Sequence, residues 1–183
     1  YSRLEPAEQI DILMASLPSA GPQTRAVILS LLGHFGSKRV IDFLLARVAE
    51  AQGEEFHLLV AALAKHAAHL PARIKDPTRL AWFEKAEARS RAVILAHYPG
   101  EIAIAPLEAL LTDEDQAASD FACASLALKD KGFSGRVFLA AMQAGISMSL
   151  EGWQRRALRR IDRETAFAAV MKAAGEATLP AVD

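Results

Sequence analysis

The chain has 183 residues, enough for one domain that buries roughly 70% of the surface its unfolded form exposes. Its composition, 52% hydrophobic and 23% charged with a mean hydropathy of +0.15, excludes a disordered tail, and the abundant alanine and leucine favour helix over sheet. A net charge of -1 supplies no long-range field toward nucleic acid or an anionic membrane.

Apolar residues recur at three- and four-residue spacing along nearly the whole chain, separated by short groups of glycine and proline. The first helix is predicted from about Pro6 through Ile10, Leu13, Met14 and Leu17 to Pro18. A second follows Gly21-Pro22 with Val27, Ile28, Leu31 and Leu32 and stops at Gly33 and Gly36. Ser37 is the predicted N-cap of a third, which carries Val40, Ile41, Leu44, Leu45 and Val48. A fourth is predicted from Glu54 to about Leu70, ended by Pro71, and 71–77 is the least regular stretch.

A longer helix is predicted next, capped by Asp76 and running through Leu80, Phe83, Ala86, Val93 and Ile94 to Tyr98, where Pro99-Gly100 stops it. Ile102 to Leu111 and Asp113 to Leu128 read as a pair whose connecting acids suit the start of the second helix. The last third is predicted to hold helices near Gly135 to Ala144, Leu150 to Ile161 and Arg163 to Ala173, with a frayed tail over 176–183. No stretch approaches the ~18 apolar residues of a membrane helix, since the longest uncharged run, Val137 to Leu150, is broken by Gln143, Gly145 and two serines.

Arg-Ala-Val-Ile-Leu occurs at Arg25 to Leu29 and again at Arg91 to Leu95, an offset of 66 residues (91 minus 25), or two units of about 33. The echo continues in Ile41-Asp42 and Leu44-Leu45 against Leu107-Glu108 and Leu110-Leu111. Gly21-Pro22-Gln23-Thr24-Arg25 with Leu32-Gly33, then Lys38-Arg39-Val40-Ile41 with Leu44-Leu45, resembles the HEAT repeat family. Ala103 to Leu111, followed by Asp113-Glu114-Asp115 and by Ala122, Cys123, Ser125 and Leu126, is the best later match. Ser119 stands where the family has arginine and Ala127 where it has glycine, and the regions from Leu70 to Ala88 and from Asp130 onward match poorly.

The resemblance implies an all-α fold: a right-handed α-solenoid of about ten helices in stacked antiparallel hairpins, forming a single domain over 1–175. Leu110 and Phe121 are expected in its core. It also implies a scaffold that binds a protein or peptide, rather than an enzyme. Three other HEAT-like classes compete with that reading. A di-iron hydroxylase class uses His-Glu dipeptides, which this chain lacks. Alkylpurine DNA glycosylases grip DNA with basic helices, an aromatic residue and an aspartate. Bilin lyase subunits find no matching signature in this sequence.

The residues offer little chemistry of their own. His66 and His69 lie one turn apart but are too few for a metal site, with His57 nine residues back from His66, so surface or helix-end histidines are expected. Cys123, the single cysteine, sits among alanines with no cation within a turn; it reads as an inert core residue, and its solitude fits a reducing cytoplasm. Gly33-His34-Phe35-Gly36 lacks the Lys-Ser/Thr of a phosphate loop. No cofactor and no metal are expected, and the absence of a methionine at Tyr1 reads as an excised piece or a processed product.

The most pointed cluster runs from Trp153 through Arg155, Arg156, Arg159 and Arg160 to Arg163, with Arg156, Arg159, Arg160 and Arg163 on one helical stripe. Such a stripe suits bidentate contacts to carboxylate or phosphate, hence an acidic protein partner or nucleic acid. Glu151, Asp162 and Glu164 can equally pair with it on a merely solvated helix. Upstream, 101–120 holds six acids, Glu101, Glu108, Asp113, Glu114, Asp115 and Asp120, and no lysine or arginine.

Overall fold

Helix starts are written into the local chemistry of this chain. In the computed structural model, which describes residues 5–130, 132, 133 and 136, all regular structure among the described residues is helical and no strand occurs. Helix α1 (Pro6–Ser16) has proline in its first turn and a capping box in which Glu8 accepts from the Glu5 backbone N–H at 3.1 Å. Helix α2 (Pro22–Leu32) also opens on proline, and α3 (Lys38–Val48) begins at Ser37, whose hydroxyl oxygen accepts from the Val40 N–H at 3.2 Å.

Helix α4 (Gly53–Lys65) opens on Gly53 at φ +57°, a left-handed conformation that disfavours any residue with a Cβ. A Cβ there would meet nothing within 4 Å, so the cost of Gly53→Ala is backbone strain alone. Urea titration is expected to find that variant less stable by about 1 kcal/mol.

Gly33, which ends α2, serves a different purpose. Its φ of -62° is ordinary, so stopping the helix does not require a glycine. An added Cβ would stand 2.9 Å from Lys65 Cδ and 3.5 Å from Ala62 Cα. A side chain there would displace the flexible Lys65 stem, while its distance to the α4 backbone would be an ordinary contact.

The chain divides into two compact units, 1–98 and 99–183. In the first, α4 packs against α2 and α3 and against α6 (Ala88–Leu95), while the 3-10 turn Ala67–Ala72 also packs on α6. The core is Leu29 and Leu32 from α2, Val40 and Leu44 from α3, Leu59 and Leu63 from α4, Ile94 and Leu95 from α6, and Tyr98, all essentially excluded from water. Burying each leucine contributes roughly 2 kcal/mol.

Helices α2 and α4 run in the same direction. Arg25 near the start of α2 pairs with Glu55 near the start of α4 at 3.0 Å, and Leu32 at the end of α2 meets His66 just past the end of α4 at 3.1 Å. Arg47 at the end of α3 meets Glu55 at the start of α4, so α3 and α4 form an antiparallel hairpin whose second member packs along α2.

The long helix expected from Asp76 to Tyr98 does not form. Asp76 does act as an N-cap, accepting from the Thr78 N–H at 3.0 Å, but the element it starts is a 3-10 turn over Pro77–Arg79. The backbone is then extended at Leu80, helical in α5 (Ala81–Lys85), extended again at Ala86, and helical in α6. Trp82 and Phe83 pack edge to face at 5.9 Å and are buried, as is Ala86. No glycine or proline marks the second break, so packing overrides helix propensity there. The expected fourth helix is also shorter: α4 ends at Lys65, and Pro71 lies inside the following 3-10 turn rather than ending a helix.

Tyr98 closes the first unit with a buried phenol. Burial first, and the charge of Asp76 second, push its pKa up to about 12, so it stays neutral over the physiological range.

In the second unit α7 (Gly100–Ala109) packs against α8 (Gln116–Lys129) through Ala103, Leu107, Ala118, Ala122, Cys123 and Leu126. Asp115 caps α8, its carboxylate accepting from the N–H groups of Ala117 at 2.8 Å and Ala118 at 3.3 Å. Ser119 donates its buried hydroxyl to the Leu111 carbonyl at 2.6 Å, tying α8 to the 3-10 turn Leu110–Thr112. Leu110 and Cys123 are buried as expected, but Phe121 is 40% exposed, a correction to its expected core position. The inner positions of α8 are taken by small residues that bring α7 close, and Phe121 faces outward.

Candidate interaction surface

The Trp153 to Arg163 cluster, with Arg155, Arg156, Arg159 and Arg160, lies outside the described residues, as do the three helices expected after Gly135. Candidate surfaces among the described residues come from elsewhere. On α2, Val27 is 58% exposed and Leu31, one turn on, is 44% exposed. Ile28, Leu29 and Leu32 fill the opposite side and enter the core. Apolar residues thus nearly encircle α2, and sequence periodicity alone cannot choose which side faces inward.

In the second unit α8 shows the same pattern. Phe121 and Leu128 are seven residues apart, hence on one stripe, and Leu128 is 88% exposed. Single exposed apolar residues are ordinary on any protein, whereas Val27 and Leu31 lie one turn apart and adjoin.

A polar knot lies near the starts of α2 and α4. Glu55, with a side chain only 16% exposed, takes Arg25 Nη1 on one carboxylate oxygen at 3.0 Å and Arg47 Nε on the other at 2.8 Å. Arg25 also donates to the Ala20 carbonyl at 3.1 Å. Beside the knot, Arg47, Glu50, Ala51, Gln52 and Glu55 line a small cleft of about 310 Å³. Arg25 was visible in the sequence through its repeated pentapeptide. Glu55 and Arg47 carried no signal, because the knot they form with Arg25 depends on helices 30 residues apart in the chain.

The histidines do not form a ligand set, and no group of three or more potential metal ligands occurs among the described residues. His66 is nevertheless not a surface residue. It is buried, with Nε2 3.1 Å from the Leu32 carbonyl, and its pKa lies below the ordinary 6.5, chiefly because burial disfavours the charged ring. His57, exposed, sits 3.2 Å from Glu87 at the start of α6.

The acidic stretch is largely used locally. Asp115 caps α8 and Asp113 accepts from the Asp115 N–H at 3.0 Å, while Glu108 meets Arg136 at 3.2 Å. Asp130 also binds Arg136, at 2.6 Å; burial raises its pKa, but the Arg136 and Gly132 hydrogen bonds outweigh that and hold it below the ordinary value.

Among the described residues, no helix is long and apolar enough to cross a membrane. Comparison with protein-family models, with curated proteins and with solved structures gives no match.

Proposed function

We propose that this chain is a non-catalytic interaction module of stacked helix pairs, HEAT-like in architecture, that binds a protein or peptide. One observation carries the reading: side-chain bridges recur at a nearly constant separation along the chain. Arg25 meets Glu55 across 30 residues, His34 meets Lys65 across 31 and Leu32 meets His66 across 34. Asp11–Arg39, Asp42–Arg73 and His57–Glu87 repeat the spacing in the same unit, and Glu108–Arg136, across 28, repeats it in the second. A side chain meets its partner about one repeat unit along, which is the register expected of nearest-neighbour layers in a helical solenoid.

In such a stack the outer helix faces are free for recognition, and the strip Val27–Leu31 on α2 is the contact we assign in the first unit. Arg156, Arg159, Arg160 and Arg163, which the sequence reads as one helical stripe, extend the proposal to an acidic partner. Fold analogy contributes to this reading and does not name the partner.

The test is a pull-down with the full chain against Val27→Asp/Leu31→Asp. Both positions are well exposed, so stability should change by no more than about 0.5 kcal/mol per site. Loss of the captured partner at an unchanged melting temperature is the expected result; equal capture by both proteins would refute the α2 assignment. A low-salt gel shift with duplex DNA that depended on Arg156 and Arg160 would instead favour the nucleic-acid reading.

A further inference from the structure

Three imidazoles and an ammonium gather where the turn after α2 meets the end of α4. His66 is buried beneath the corner, while His34, Lys65 and His69 lie at its surface. Lys65 Nζ is 3.4 Å from His34 Nε2, and a Cβ on Gly36 would stand 3.8 Å from His69 Nε2, so the turn residues and the α4 end share one small region.

We propose that this corner is a pH-sensitive joint: protonation of the buried His66 places a charge among potential cations and opens the α2–α4 contact locally. The closed form is written for a neutral His66 ring. A carbonyl can only accept, so His66 Nε2 carries the proton and its Nδ1 is bare at neutral pH. Protonating His66 at Nδ1 keeps the Nε2–H donation to Leu32 but seals a charge inside the corner.

Nothing nearby welcomes that charge. The side chains that act on His66 are His69, Lys65 and His34, all cationic or cationic once protonated, and each disfavours its charged form, as burial does more strongly. The Leu32 carbonyl opposes them without prevailing. Of the elements packed on α4, α3 holds Asp42 in a pair with Arg73 at 3.2 Å and carries Lys38, Arg39 and Arg47 besides, while α6 carries Arg89 and Arg91, so the charged groups left without an acid on these two helices are cations. At the other end of the same helix pair, Arg25 and Glu55 keep α2 on α4, which confines the opening to one end.

The direction follows from linkage. The closed form of His66 has a pKa below 6.5, so the open form binds more protons as pH falls. Closure is fully favoured above 6.5 and weakens below it, down to the folded-state pKa. For one proton, the open population grows by up to about ten-fold per pH unit.

Hydrogen exchange on the full chain at about pH 7.5 and about pH 5.5, corrected for intrinsic rates, reads this directly. Segments 29–37 and 59–72 should exchange up to about ten-fold faster at the lower pH than the correction accounts for, with α3 and α8 unchanged. His66→Gln, whose amide can still donate to Leu32 but cannot titrate, should remove most of that difference. Equal protection of both segments at the two pH values in the unmutated chain would overturn the proposal, as would an undiminished acid effect in His66→Gln. Should that variant fail to fold, Lys65→Gln decides: removing the exposed cation should move the opening midpoint, because the ring then protonates without a neighbouring ammonium, and an unmoved midpoint overturns the joint.

Discussion

Replacing Leu63 with alanine should lower stability by about 3 kcal/mol. Leu63 is 0% exposed on α4, the helix that α2, α3 and α6 all contact, so the cavity would open inside the most heavily packed helix of the first unit. Partial collapse around such a site is difficult, which places the cost within the range for fully buried leucines. Leu128→Ser is the matched control: that leucine is 88% exposed and should change stability by less than about 0.5 kcal/mol. Urea titration followed by far-ultraviolet circular dichroism separates the two. A Leu63→Ala loss below about 1 kcal/mol would mean that α4 is not the hub of the first unit.

Glu55→Gln should cost about 2 kcal/mol, with the side-chain shape kept and only the charge removed. Two guanidinium groups converge on this carboxylate, and each would remain in its half-buried place facing a neutral amide. A fully buried pair broken in this way costs roughly 3–5 kcal/mol, but Arg25 and Arg47 keep 29% and 34% of their side-chain surface in water, so solvent takes up part of the loss. A double-mutant cycle with Arg25→Met should return a coupling above about 1 kcal/mol, because the pair is more enclosed than a surface ion pair. Coupling near zero would reduce the knot to a surface contact, and the α2–α4 alignment would then rest on apolar packing alone. Arg25→Ala should also cost more than Arg47→Ala, since Arg25 additionally binds the Ala20 carbonyl.

Both predictions concern α4, and both depend on features with different visibility in the chain. Leu63 belongs to an apolar series with Leu59 and Phe56, which a three-to-four spacing places on the inner side of a helix. Glu55 looks like any first-turn acid until α2 is laid beside it. Similarly, His66 is indistinguishable in sequence from the exposed His69 three residues on; burial and the Leu32 carbonyl separate them. The joint and the knot are tertiary products, though each sits at the end of a helix that the sequence announces.

The helix starts were legible because capping is local. Ser37 and Asp115 place an acceptor within reach of N–H groups that a helix leaves unpaired, and Pro6 and Pro22 occupy first-turn positions where no N–H is needed. The break at Ala86 was illegible for the complementary reason. Lys85, Ala86, Glu87 and Ala88 are all acceptable helix residues, and only the burial of Trp82 and Phe83 draws the chain out of line.

By itself, then, the sequence determined that the described residues fold into helices, where several of those helices begin, and the 66-residue offset of its repeated pentapeptide. Spacing, capping and propensity act over a few residues and need no knowledge of the rest of the chain. Tertiary structure alone decided that Val27, Leu31, Phe121 and Leu128 face water, that Glu55 collects two arginines, and that His66 is sealed beneath a ring of potential cations. Each of those outcomes depends on which side of a helix another helix covers, and that choice is made by contacts between segments far apart in the chain.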